Sequence, residues 1–333
     1  MTTRTYLPLD KPHLHVYYLS NGRDEMTEYE VAKMTEDEAR AYLEGIRWPE
    51  GPVCPHCGAT SREAKIYLLE GHSHRPGLRK CGKCRRQFTV TVGTIMEDSH
   101  IPLSKWVLAF HKICSSKKGI SALQLQRELG LGSYKTAWFM AHRIRLAFEQ
   151  SPLAKKLAGI VEVDETYVGG KPIKDSGKRG RGTKKTPVVV AVERKGKAFS
   201  KPVDNISSVE MEKKVLHAVD HGSILMTDEY TTYIPIGRTF KEHHRVLHSS
   251  GEYSRGFVYT NTAESYFSLL KRGVIGIFHF ISRKHMERYC AEFNFRWNHR
   301  QALGYNDSQR RDAAVSGISG KRLQFAELLR GEI

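Results

Sequence analysis

Hydrophobic and polar positions divide the chain into stretches of different period. Thr35-Glu-Asp-Glu38 is a capping-box pattern, and Ala39, Tyr42, Leu43 and Ile46 recur behind it at helical spacing until Trp48-Pro49 ends the run. A short helix is expected there, inside an N-terminal helical segment of residues 1–50. From Cys54 to about Gly93 the sequence alternates instead, with Phe88, Val90 and Val92 on one side and Thr89 and Thr91 on the other, which predicts short strands. Helical periodicity returns from Leu103 to Phe148. Gly119 and Gly130-Leu-Gly132 interrupt it, so three helices fit. After Ile160 come apolar runs of strand length, Ile160 to Val163, Val188 to Val192 and Ile224 to Thr227, separated by loops and one helical stretch, Val209 to Val219. An α/β domain begins there. The reading is an α+β multidomain chain: the helical segment, a cysteine-bearing ribbon over 51–98, helices over 99–150, an α/β domain over 158–301, and a C-terminal tail over 302–333.

The last two helices of the 99–150 region have helix-turn-helix punctuation. Ser121 can cap a helix through Leu129, Gly130-Leu-Gly132 can make the turn, and Ser133 can cap a second helix running to about Phe148. Tyr134, Lys135 and Thr136 then lie in the first turn of the second helix, where a recognition helix offers side chains to base edges; His142, Arg143 and Arg145 come further along. Ala137, Ile144 and Phe148 would face the first helix. A helical hairpin buried in a core has the same pattern, and it is the neighbouring segments that favour DNA.

Charge sharpens this picture. Lys and Arg number 53 against 36 Asp and Glu, a formal net charge of +17, which points to a polyanionic partner. Residues 1–50 run against the trend with ten acidic and six basic side chains, so the basic surface belongs to residues 51–333. Gly169 to Lys185 concentrates it, with seven basic residues and one acid in a Gly-rich insert; Lys178, Arg179 and Arg181 are its candidate phosphate contacts. A solvated connection without function is the plain alternative. No run reaches the roughly 20 apolar residues a membrane helix needs, and the first residues lack the apolar stretch of a signal peptide. A soluble, cytoplasmic, nucleoid-associated protein is expected.

Four of the six cysteines form two tight pairs, Cys54-Pro-His-Cys57 and Cys81-Gly-Lys-Cys84, separated by 23 residues. Each pair lets two thiolates converge on one ion, and four soft thiolates in a closed tetrahedron suit one structural Zn²⁺. His56, His72 and His74 are spare donors that a complete cysteine set does not need.

The acids of the α/β domain carry the remaining chemistry. Ile160-Val-Glu-Val-Asp-Glu-Thr-Tyr167 reads as a buried strand whose end carries Asp164, with Glu162 on the same face and Glu165 on the other. Ile224-Leu-Met-Thr227 ends in Asp228 in the same fashion, and Asn261 to Lys271 opens an amphipathic helix with Glu264 in its first turn. Taken singly, each acid has an ordinary explanation as a strand terminator or helix cap. Together, acids at strand ends and a helix start can converge at one sheet edge, where hard oxygen ligands select two Mg²⁺ or Mn²⁺ ions.

V-D-E-T-Y-V-G-G-K, T-D-E-Y and N-T-A-E-S-Y-F-S-L-L-K-R-G resemble the signatures of bacterial insertion-sequence transposases of the zinc-ribbon, ISXO-like group, as does R-W-P-E-G-P-V-C-P-H-C-G upstream. The resemblance covers roughly residues 35–300 in matching order. It implies a ribonuclease-H-like catalytic core with an Asp, Asp and Glu (or Asn) triad, carried over onto Asp164, Asp228 and Glu264. Lys271 matches the basic residue such enzymes place two helical turns after the third acid. Asn261 competes with Glu264 for third place, and an ionised carboxylate is the better ligand for a hard cation while Asn261 suits a cap. The expected function is that of a homo-oligomeric transposase that binds double-stranded DNA, both the ends of its mobile element and a target, and cleaves and joins strands. A domesticated DNA-binding regulator that does not cut, and a nuclease that does not join, are the alternatives.

Overall fold

Two capping boxes open the part of the chain that the computed structural model describes, residues 25–149, 155–169, 185–252 and 254–330. Thr27 with Glu30 starts α1 (Glu28–Ala32), and Thr35 with Glu38 starts α2 (Glu36–Arg47), as the Thr-x-x-Glu spacing predicts. Behind α2 the chain enters a three-stranded antiparallel meander, β1 (Ile66–Leu68), β2 (Arg79–Cys81) and β3 (Gln87–Phe88). The alternation that predicts strand as far as Gly93 stops pairing at Phe88. Beyond it Val92 N–H donates to the Thr89 carbonyl and Thr94 N–H to that of Thr91, so Val90 is buried from a turn. Arg47 donates to the carbonyls of Val90 and Val92 (2.5 and 2.7 Å), and Trp48 meets Phe88 edge-on at 5.9 Å, which fastens the meander to α2.

Three helices come next, α3 (Leu103–Ser115), α4 (Ala122–Glu128) and α5 (Tyr134–Ala147). Ser121 caps α4 by accepting from Gln124 N–H, and Ser133 caps α5 by accepting from Thr136 N–H, both at the positions the sequence marks. Gly130, at φ +58°, takes the left-handed turn between them.

The α/β part is built on a five-stranded mixed sheet. Its strands are β4 (Ile160–Val168), β5 (Thr186–Glu193), β6 (Ala198–Pro202), β7 (Ile224–Thr227) and β8 (Glu242–Arg245), in the order β6-β5-β4-β7-β8. The β4-β5 and β5-β6 pairs are antiparallel; β7 lies parallel to both β4 and β8. Helices α6 (Ser208–Ala218) and α7 (Tyr233–Gly237) cover one face; α8 (Asn261–Gly273) and α9 (Met286–Asn298) cover the other. The unbroken apolar run of β5 has its reason here: Val188, Val190 and Val192 pack toward α8 and α9 while Val189 and Ala191 pack toward α6 and α7. The basic insert after β4, with Lys178, Arg179 and Arg181, lies outside the described residues.

Residues after 301, expected to form a C-terminal tail, instead return to the N-terminal half. Helix α10 (Asp307–Ser316) packs on α3 and α2, Tyr42 O–H donates to Asp312 at 2.6 Å, and α11 (Phe325–Arg330) comes last. Ala314, Val315, Ile318, Leu323 and Leu328 join one apolar core with side chains from α1, α2, the meander and α3 to α5. The boundaries drawn at residues 50 and 98 therefore separate sequence patterns rather than cores, because a meander of two- and three-residue strands has too little apolar surface to bury by itself.

The two halves meet at α5 and α9. There Arg145 and Arg296 close on Glu292 at 2.6 and 2.5 Å, all three side chains buried.

Candidate active site and metal centres

In the ribbon, the Cys54 and Cys84 sulfurs lie 3.6 Å apart and those of Cys57 and Cys81 3.8 Å apart, with all four within 4.8 Å of one another. A regular tetrahedron with Zn–S bonds of about 2.3 Å has edges of about 3.8 Å, so the four thiols fit a structural Zn²⁺ with no fifth position. Backbone N–H groups of the second knuckle point at Cys81, chiefly that of Cys84, and bring its thiol down to about 7. Burial pushes the Cys54 thiol up to about 12, a cost that a cation at the centre would offset. The spare histidines stay outside the four: His56 binds the Gln87 carbonyl at 3.2 Å, and His72 and His74 are exposed.

The acids of the α/β part gather between two inner strands of the sheet, where β7 ends and β4 continues. The parallel register that pairs Ile160 with Ile224 and Glu162 with Met226 carries Asp164, on β4, level with Asp228, just past the end of β7. Carboxylate oxygens of Asp164, Glu165 and Asp228 lie within 4.8 Å of one another. Glu165 N–H donates to Asp164 Oδ1 at 2.7 Å, Tyr230 N–H to Asp228 Oδ1 at 3.0 Å, and Tyr233 O–H to Glu165 Oε2 at 2.7 Å. Burial first, then the charges of Glu165 and Asp228, raises the Asp164 carboxyl well above the usual carboxylate range. The donor set, all hard oxygens, fits Mg²⁺ or Mn²⁺.

Glu264 sits beside this trio. It adds to the negative potential on Asp164 and lines one cleft with Asp164, Glu165, Phe267, Lys271, Arg272 and Ile275. Glu264 and Lys271 are seven residues apart on α8 and open into the same cleft, as two turns of helix dictate. Asn261 does not line it.

The structure departs from the sequence expectation at the start of α8. The cap position falls on Thr260, which makes no side-chain cap bond, and Asn261 is the exposed first residue of the helix. The helix is capped from another element: Glu162 accepts from Thr262 N–H and Ala263 N–H at 2.7 and 3.0 Å. Glu162 is thus fully buried and engaged, while Glu165, taken from alternation as facing away, brings its carboxylate within 4.8 Å of those of Asp164 and Asp228. The V-E-V-D-E string was the available signal for both, since three acids in one buried strand need three separate partners.

Helix α5 presents its first turn and hides the rest. Tyr134 and Lys135 are exposed, the Lys135 amine lying 4.1 Å over the Phe325 ring, and Thr136 is half-buried against Ser133. Arg143 is only 8 % exposed and lies over Phe139 at 4.4 Å. Arg145 is consumed by Glu292, and His142 is enclosed by Trp138, His285 and Tyr289.

Residues 156–298 match the ISXO2-like transposase domain, and residues 34–87 match the transposase zinc-ribbon domain. Over 256 residues, 72% of this chain and 83% of the relative, the sequence is 31% identical to a protein of Halobacterium salinarum described as an uncharacterized protein in transposable element ISH50. Among the described residues, no helix is long and apolar enough to cross a membrane.

Proposed function

Since this chain belongs to the ISXO2-like, zinc-ribbon transposases, we propose that it binds the ends of a mobile element as a homo-oligomer and catalyses DNA strand cleavage and strand transfer at one acidic site. The observation that carries this reading is that Asp164, whose carboxylate lies within 4.8 Å of those of Glu165 and Asp228, also lines one cleft with Glu264 and Lys271. The strand order, with β4 at the centre and β5 antiparallel to it, supports a ribonuclease-H-like core.

Asp164, Asp228 and Glu264 would hold two Mg²⁺ or Mn²⁺ ions, with Glu165 beside them. Such ions, when bound, activate the attacking oxygen, first of water and then of the freed 3′-hydroxyl, and stabilise the leaving oxygen. Lys271 sits two turns along α8 and holds a phosphate of the strand being cut; as a point charge it positions the backbone without reading sequence. Tyr134, Lys135 and Thr136, in the exposed first turn of α5, contact base edges at the element's end, with α4 and α5 acting as a helix-turn-helix. The Zn²⁺ site holds the ribbon against α2 so that its basic surface meets the same duplex.

Supercoiled plasmid carrying the element's ends, incubated with protein and Mg²⁺, tests the reading. Cutting and then joined products are expected. Cutting without joining would reduce the protein to a nuclease, and tight end binding without cutting would make it a regulator.

A further inference from the structure

Glu162 is fully buried two residues before Asp164 and has no role in the chemistry above. Its Oε2 accepts from Thr262 N–H (2.7 Å) and Ala263 N–H (3.0 Å), and its Oε1 accepts from Thr262 Oγ1 (2.9 Å) and Arg194 Nε (2.6 Å). Arg194 continues the network: it donates to the carbonyls of Phe257 and Tyr259 at 2.7 and 2.9 Å and lies 3.5 Å over the Tyr259 ring. One carboxylate therefore joins the strand that carries Asp164 to the first turn of the helix that carries Glu264, and its guanidinium partner holds the chain leading into that helix. Because Thr260 supplies no side-chain cap, the fixed point of this turn is Glu162.

We propose that Glu162 is a positioning residue for the acidic site: by anchoring the first turn of α8 to β4 it fixes Glu264 against Asp164 and so sets how tightly the acids hold a divalent cation. The inference rests on the reading of Glu264 as the third acid. A carboxylate suits the task because it accepts all four bonds and donates none. A glutamine would keep one acceptor oxygen and turn an N–H₂ toward a donor. A merely structural Glu162 would affect melting and leave the metal affinity of the folded protein alone.

The test uses full-length, zinc-loaded Glu162→Gln and Arg194→Lys, with Glu264→Gln in parallel. Mn²⁺ binding is read directly from the electron paramagnetic resonance signal of the free ion, beside thermal melting and cleavage of end DNA over a Mg²⁺ titration. Both positioning variants should be folded at 20 °C, bind Mn²⁺ at least tenfold more weakly than the parent, and recover cleavage as Mg²⁺ is raised. Glu264→Gln should not recover. Parental Mn²⁺ affinity in folded Glu162→Gln and Arg194→Lys, with Glu264→Gln inactive, would overturn the positioning role alone. Glu264→Gln that binds Mn²⁺ and cuts like the parent would overturn the assignment of the third acid. Should Glu162→Gln not fold, Arg194→Lys and Thr262→Val, which removes one donor to Glu162, decide by the same Mn²⁺ titration.

Discussion

Asp164 and Asp228 stand level with one another, one on β4 and one immediately past β7, because the two strands run parallel in an unbroken register. Glu165 is the third acid of the group, and the three receive hydrogen bonds from Tyr230 N–H, Tyr233 O–H and the Glu165 N–H. Burial and the neighbouring charges of Glu165 and Asp228 raise the Asp164 carboxyl well above the usual range.

Glu264→Gln is expected to abolish plasmid cleavage while leaving end binding within about twofold, because the amide keeps the shape but loses the charge. Asn261→Ala, at an exposed position with no cap bond, should change stability by less than about 0.5 kcal/mol and leave cleavage intact. A folded Asn261→Ala that no longer cuts, beside an active Glu264→Gln, would reverse the assignment.

Purified protein should carry one Zn²⁺ per chain, and Cys81→Ser should lose it. Phe88 and Trp48 sit in one core with α2 and α3, so the loosening should spread beyond residues 54–92 into the N-terminal helices while the five-stranded sheet stays folded. Hydrogen exchange on the zinc-free variant checks the pattern; faster exchange confined to the ribbon would contradict the shared core.

Lys135→Ala should weaken binding to end DNA and lower the salt slope by about one if the lysine meets a phosphate, or alter sequence preference if it meets a base. Arg143→Ala should act differently, costing about 1–2 kcal/mol in denaturant unfolding through lost packing on Phe139. Equal losses of DNA affinity in the two variants, with unchanged stability, would mean that Arg143 reaches DNA.

Glu292→Gln should cost about 3–5 kcal/mol, since it leaves Arg145 and Arg296 buried against a neutral group. Burial pushes the Glu292 carboxyl up, but Arg145 and Arg296 outweigh it and hold its pKa below the usual value. The stabilisation is therefore fully present above the unfolded value of about 4.3 and lost as pH falls through the lower folded value. Urea unfolding of parent and variant should converge as the pH is taken below about 4; parallel curves down to about pH 2 would show that the ion pair does not act through this carboxyl.

Much of this protein is written locally. The caps at Thr35, Ser121 and Ser133, the break at Gly130, the paired cysteines and the strand that runs out at Asp228 each depend on a few consecutive residues, whose spacing is what backbone hydrogen bonding and metal geometry read; Asp164, expected at a strand end, instead lies inside β4, which stays paired with β5 to Val168. What periodicity does not record is which distant element meets which. Glu162 caps a helix 100 residues away, Arg145 finds Glu292 across 147 residues, and Ser308 accepts from Met26 N–H across 282, which draws the C-terminal segment into the first core. The same limit hid Glu165, whose strand face was legible but whose nearness to Asp164 and Asp228 was not, and Arg143, whose burial depends on the aromatic ring and core packed around it. Sequence alone thus determined many of the elements and the chemical types of the thiol and carboxylate clusters. The tertiary structure decided which acids and bases are spent on holding the halves together and which stay exposed or line the cleft, because a buried charge is committed only by the partners that folding brings to it.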